Sequence, residues 1–223
     1  MPRHLQREIE NLKNKIVTMG GEVEDRVYKA TLSVIKRDLV MAQAVINADR
    51  NIDNLEVDIE EDCLKILALH QPVAIDLRFI IAVLKINSDL ERVGDLAVNI
   101  AERSIFLASQ DEPIDMPFDA VDMSTKVEKM LTQSIDSLVN LDVRLARQVR
   151  ARDEEIDTIN RTMYGQVKGL FQDHPERVNA LLHAISICRH LERIADHASN
   201  IAEDVIYLVN AEIVRHTPEV FEE

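Results

Sequence analysis

Hydrophobic positions recur at helical spacing almost from the first residue of this 223-residue chain. Leu5, Ile9, Leu12, Ile16, Met19 and Val23 alternate steps of four and three, the seam of a helix packed in a bundle, and the pattern carries to about Arg37. Gly20 and Gly21 interrupt it at about 1 kcal/mol each relative to Ala, which predicts a bend or a close helix contact. Asp38 is placed to cap a second helix through Leu39, Ala42, Val45, Ile52, Leu55, Ile59, Cys63, Ile66 and Leu67, ended by His70, Gln71 and Pro72. Pro72 is positioned to open a third helix through Leu77, Ile80, Ile81 and Leu84 to about Leu107. The stretch SQDEPIDMP, from Ser109 to Pro117, holds two prolines and three acids and reads as a linker. Beyond it the plan returns, with helices from about Phe118 to Leu141, Val143 to Phe171 and Pro175 to His216, where Thr217 and Pro218 end the last. The expected fold class is all-α, with six long helices in two tandem three-helix bundles.

The third helices share more than periodicity. LERVGDLAVNIAER, from Leu90, returns as LERIADHASNIAED, from Leu191, with nine of fourteen positions identical at an offset of 101. The second helices repeat independently: Asp38, Ala42, Val45, Asp49, Ile52 and Asp53 return as Asp142, Ala146, Val149, Asp153, Ile156 and Asp157 at an offset of 104. Losing three residues between the second and third helices of the second copy reconciles the two offsets, a change that a loop absorbs. The chain therefore reads as a tandem duplication, with domains expected at 1–110 and 111–223.

Composition supports helices. The chain is 46% hydrophobic, with 4% aromatics, no Trp, five Gly and six Pro, little material for a sheet. A net charge of -14 argues against duplex nucleic acid, whose binding rests on Lys and Arg neutralising phosphates. Cys63 and Cys188 do not correspond under the repeat and fall in partly apolar helical stretches, which predicts buried structural thiols in a reducing compartment. The start, MPRHLQREIENLKNK, is too polar for a secretory signal, and no apolar run reaches the length of a membrane span. The expectation is a soluble cytoplasmic protein that meets a membrane only through a partner.

Candidate chemistry lies in four acid pairs spaced i, i+4: Asp49 and Asp53, Glu91 and Asp95, Asp153 and Asp157, Glu192 and Asp196. Each spacing points both carboxylates the same way, about 6 Å apart along the helix axis. One such pair means little, because 40 acids in 223 residues give about seven by chance, and a charged helix face is ordinarily just solvated. Recurrence in register on the second and third helices of both halves is different. Two converging pairs repel by about 4 kcal/mol per contact near 4 Å at an effective dielectric constant of about 20, and a cation relieves this. Carboxylates, with Asn99 and Asn200 as further oxygen donors, suit hard ions such as Mg²⁺, Mn²⁺ or Fe³⁺, with carboxylate-bound zinc as an alternative. The Glu-x-x-His signature of di-iron carboxylate bundles is absent, since no His has an acid three residues before it. His197 is matched by Leu96 and reads as local variation. Nor is there a recognisable nucleophile, base or Gly-rich phosphate loop, so catalysis is not expected. Arg144, Arg147 and Arg150 share a helix face that reads as a solvated or partner-facing surface, and no basic cradle for phosphate stands out.

QPVAIDLRFIIAVLKINSDLERVGDLAVNIAE in the first half and HLERIADHASNIAEDVIYL in the second, together with the two Asp-x-x-Ile-Asp motifs, resemble the PhoU family of phosphate-signalling proteins along essentially the whole chain. The resemblance implies two similar three-helix bundles and multinuclear metal sites at the family's Glu/Asp-x-x-x-Asp motifs, here the four acid pairs, with iron the leading ion and manganese, magnesium or zinc as alternatives. Gly94 and its counterpart Ala195 leave the motif intact and suit close helix packing. It also implies a cytoplasmic homodimer that represses the phosphate-starvation response by connecting the ATPase of a phosphate ABC transporter with a phosphate sensor kinase. The competing readings are a carboxylate-bridged metalloenzyme and a purely structural helical scaffold.

Overall fold

A computed structural model of the chain describes residues 3–48, 50–110, 112 and 114–214. Its α-helices are α1 (Arg3–Lys36), α2 (Leu39–Asn47), α3 (Arg50–His70), α4 (Ala74–Ala108), α5 (Ala120–Asn140), α6 (Val143–Asp173) and α7 (Val178–Asn210), with a 3₁₀ turn at Pro175–Arg177 before α7. No strand occurs among the described residues. Asp38 and Asp142 cap their helices alike, accepting hydrogen bonds from the N–H groups of Met41 and Leu145.

Three boundaries differ from the sequence pattern for local reasons. Ala48 stands in a turn between α2 and α3, whereas the corresponding stretch of α6 is uninterrupted. The buried guanidinium of Arg26 donates to the Ala48 carbonyl at 2.5 Å, beside a longer bond to the same oxygen from the Asn51 N–H at 3.3 Å. α4 begins at Ala74 rather than Pro72, because Gln71 and Ala74 turn the chain with φ of 46° and 50°. α7 stops at Asn210, where Ala211 adopts a left-handed conformation and its N–H closes onto the Tyr207 carbonyl. The next residues are fastened by the predicted arginine face: Arg150 donates to the Val214 carbonyl at 3.0 Å and Arg147 pairs with Glu212. The expected stop at His216, Thr217 and Pro218 lies outside the described residues.

In the first half α1, α2–α3 and α4 pack on one another, and α5, α6 and α7 repeat the arrangement. The buried residues of both halves form one continuous hydrophobic cluster, and the widest helix contact is α4 against α7. These two helices run antiparallel, as three contacts show: Lys85 with Asp204, Asp89 with His197, and Phe106 stacked on His183. With the repeat offset of 101, that pairing makes the seam locally two-fold about Gly94 and Ala195.

Two glycines mark close approaches. A Cβ at Gly20 would lie 3.1 Å from Ile135 of α5, so the predicted close contact is present in an unbroken α1. A Cβ at Gly94 would lie 3.2 Å from Ile52 of α3 and 3.5 Å from the Arg26 guanidinium. Gly94→Val is expected to wedge α3 from α4 and cost about 1–3 kcal/mol in urea denaturation. Gly21→Ala, where a Cβ meets nothing, should instead stabilise by about 0.5–1 kcal/mol. Equal effects at the two sites would contradict this packing.

Candidate metal centres

In the first half, α3 supplies Asp53 and α4 supplies Glu91 and Asp95. Burial holds the Glu91 carboxyl above its usual range, and the charges of Asp95, Glu56 and Asp53 raise it further against some relief from Arg92. The three predicted residues therefore converge with a fourth carboxylate, Glu56, itself raised by burial, Glu60 and Asp53. Asp49 lies outside the described residues. Asn99 donates its side-chain amide to the Asp95 backbone carbonyl at 2.9 Å, committing that group to its own helix. Arg26 is buried beside Gly94, the residue that precedes Asp95 on α4.

The second half brings all four predicted residues together. Asp196 on α7 is pushed up to about 6, by burial first and then by Glu192, Asp153 and Asp157, although one side remains open to solvent and His197 works in the opposite direction. Glu192 is raised by burial and Asp157, with a hydrogen bond from Asn160 opposing. Asp153 is raised by burial, against a hydrogen bond from Ser199, and then by Asp157, Glu192 and Glu203. Asn160 occupies the position of Glu56 at the 104 offset, so this place carries a side-chain oxygen in both halves. The helix register is likewise repeated: Asn87 donates to the Glu56 carbonyl, and its counterpart Cys188 lies 3.8 Å from Asn160 Oδ1.

Glu56, Asn160, Ser199 and Arg26 escaped the sequence reading. Glu56 was accessible in principle, since it follows Asp53 by three residues on the same helix face. Arg26 carried no such signal, because its position depends on how α1 packs. The Nδ1 of His197 lies 2.8 Å from Asp89 Oδ1 across the seam. Among the described residues no three His, Cys, Asp or Glu side chains are gathered closely enough to hold an ion as they stand. The clusters fit an oxygen-preferring cation through their donor chemistry and mutual repulsion, with side-chain rotation needed for coordination. Cys63 and Cys188 are fully buried, and burial pushes both thiols up to about 12, as expected of structural rather than ligating cysteines.

A family model described as the PhoU domain matches residues 16–104 and, separately, 120–205. The chain belongs to the PhoU family. A relative from Aquifex aeolicus, named phosphate-specific transport system accessory protein PhoU homolog, is 40% identical over 95% of this chain and 96% of its own length. A relative of the same name from Pseudomonas aeruginosa is 37% identical over 94% of this chain and 86% of its own length. The crystal structure of PhoU from Pseudomonas aeruginosa matches with a TM-score of 0.88 at 37% identity, over 93% of this chain and 99% of that one. That of the phosphate transport system regulatory protein PhoU from Streptococcus pneumoniae matches with a TM-score of 0.86 at 30% identity, over 94% and 99%. The PhoU fold, two tandem three-helix repeats, is thus the fold of this chain.

Proposed function

We propose that this PhoU-family chain is a metal-binding accessory regulator of phosphate transport that works by protein contact rather than catalysis. In this reading it is a cytoplasmic homodimer that engages the ATPase of a phosphate ABC transporter and a phosphate sensor kinase and holds down the phosphate-starvation response. The observation that carries the regulatory role is near-full-length similarity to proteins named as accessory or regulatory components of phosphate transport. Among the described residues no helix is long and apolar enough to cross a membrane, which fits membrane contact through partners.

The surface supports a contact-based role. Where ends of α4, α5 and α7 meet α1, a groove of about 330 Å³ is lined by Ile9, Val17, Ile75, Phe79, Leu208 and Val209. Ile75 is 60% exposed and nearby in sequence Val73 is 74% exposed, an apolar surface suited to another protein. Asp49, Asp53, Glu91 and Asp95 are the proposed ligands of the first half, and Asp153, Asp157, Glu192 and Asp196 those of the second. A hard cation bound there neutralises the carboxylates and ties α3 to α4, or α6 to α7. Iron is the leading ion, with manganese, magnesium or zinc in its place as supply dictates. Metal or partner binding transmits a signal only through an affinity difference between states, typically 1–3 kcal/mol.

Affinity purification of the tagged chain from detergent-solubilised membranes of its host tests the contact. Recovery of both the transporter ATPase and the sensor kinase is expected, and recovery of neither would contradict it.

A further inference from the structure

We propose that the apolar end of the molecule, made by the turn between α3 and α4 and the groove adjoining it, is the face on which a second copy of this chain docks about a two-fold axis. The inference rests on the homodimer of the proposed function and names its surface. The chain segments that meet at this end are free of charge. Residues 69–75, reading LHQPVAI, 137–141, reading SLVNL, and 205–211, reading VIYLVNA, hold no Asp, Glu, Lys or Arg, although such residues make up 30% of the chain. In the groove of about 330 Å³, Ile75 and Phe79 of α4, Leu141 after α5 and Val209 of α7 share the walls with Ile9 of α1. Through Ile75 the groove is continuous with the turn, where Leu69 is 65% and Val73 74% exposed.

The repeat supplies a control at the opposite end of the molecule. Its offsets of 101 and 104 carry Ile75, Asp76 and Phe79 to Glu176, Arg177 and Ala180, Leu69 to Asp173, and Leu141 back to Arg37. The apolar residues have become charged or small. There the segment between the halves is also tied in place: Arg37 donates to the carbonyls of Leu107 at 2.9 Å and Gln110 at 3.1 Å, and Arg177 pairs with Glu112 at 2.9 Å. One end is polar and fastened by its own chain, while the equivalent end is apolar and open. Because the fold is the same at both, the open apolar side chains serve something outside the chain.

Shape and charge both select a second copy. The face carries an exposed apolar turn, Leu69 and Val73, next to an apolar hollow, and a two-fold axis through it lays each turn in its mate's hollow, so that one surface supplies knob and hole. A lipid surface would cover the turn and leave the groove unfilled. As to charge, a chain of net charge -14 repels its own copy wherever acids meet acids, and close approach is favoured only on a face without an excess of one sign. The uncharged segments meet that condition. At the groove the charges are of both signs, Lys13 with Glu10 and Asp76, so a two-fold mate can set the ammonium of one copy against a carboxylate of the other.

Sedimentation and light scattering of the full-length chain over a range of concentrations, together with distances between spin labels on the two copies, test this. The wild-type chain is expected to be dimeric, and Val73→Glu and Ile75→Glu should each weaken the dimer about tenfold or more, because each buries like charges within the face. Val40→Glu, at a position 82% exposed at the start of α2 and at the opposite end, should leave it unchanged. A nitroxide on Asn140→Cys, at the end of α5, should lie close to its mate, and one on Ser109→Cys, just beyond α4, much farther from its own; Cys63 and Cys188 are buried and stay unlabelled. The labels leave the face as it is, so they decide the matter even where a glutamate variant fails to fold. A dimer undiminished in both glutamate variants, or Ser109 labels closer than Asn140 labels, overturns the proposal and leaves the homodimer to another face. A wild-type chain that stays monomeric throughout overturns the homodimer as well and leaves the groove to a different protein.

Discussion

Asp196→Ala is expected to abolish metal uptake by the second half while leaving the first half loaded, and Asp95→Ala to do the reverse. Each variant should lose about half of the metal measured by elemental analysis after exposure to ferric, manganous or zinc ions, because each cluster binds through its own acids. The effect on stability has two signs. Without metal, removing Asp196 relieves repulsion from Glu192, Asp153 and Asp157, so the variant should be no less stable than the parent at pH 7. With metal at 100 times its dissociation constant, the parent gains about 2.7 kcal/mol per site, which the variant forfeits at that site. Acidity sharpens the test. The Asp196 carboxyl stands at about 6 in the fold, above its ordinary 3.8, so the folded state binds the extra proton between these values. Its contribution must therefore stabilise the metal-free protein as pH falls through about 6 and be lost as pH rises through that value. Metal competes with the same proton, so second-half affinity should weaken as pH falls below about 6. Equal metal content in parent and both variants would contradict the assignment.

Leu191→Ala should destabilise the folded chain by about 2–5 kcal/mol, lowering Tm by roughly 2–4 °C per kcal/mol for a protein of this size. Leu191 is 1% exposed on α7, and the buried cluster it belongs to runs without interruption into the first half. The loss should therefore be shared. Amide exchange in α1, on the opposite side of the seam from α6, is expected to accelerate along with exchange in α6. A loss of protection confined to α5–α7 would mean that the two bundles open independently, against the continuous core seen here.

The fold was largely written in two periodicities. The i, i+3, i+4 seams located the helices, and the offsets of 101 and 104 established the duplication, because both signals are local or self-referential. The acid pairs were legible for the same reason: spacing on one helix fixes direction, and recurrence raises a common pattern above chance. Positions that depend on how helices meet were not legible. Arg26 reaches the Ala48 carbonyl only through the packing of α1, and Ser199 acquires its role only by facing Asp153 from another helix. His197 illustrates the limit from the other side. The repeat marked it as local variation beside Asp196, but nothing in the sequence pointed to Asp89, which its ring meets across the seam.

Phosphate-responsive gene expression in the host, measured at high phosphate with and without this gene, tests the proposed regulator most directly. Deletion should derepress the starvation genes despite abundant phosphate, and restoring the intact gene should silence them. Repression that persists unchanged in the deletion strain would contradict a negative regulatory role.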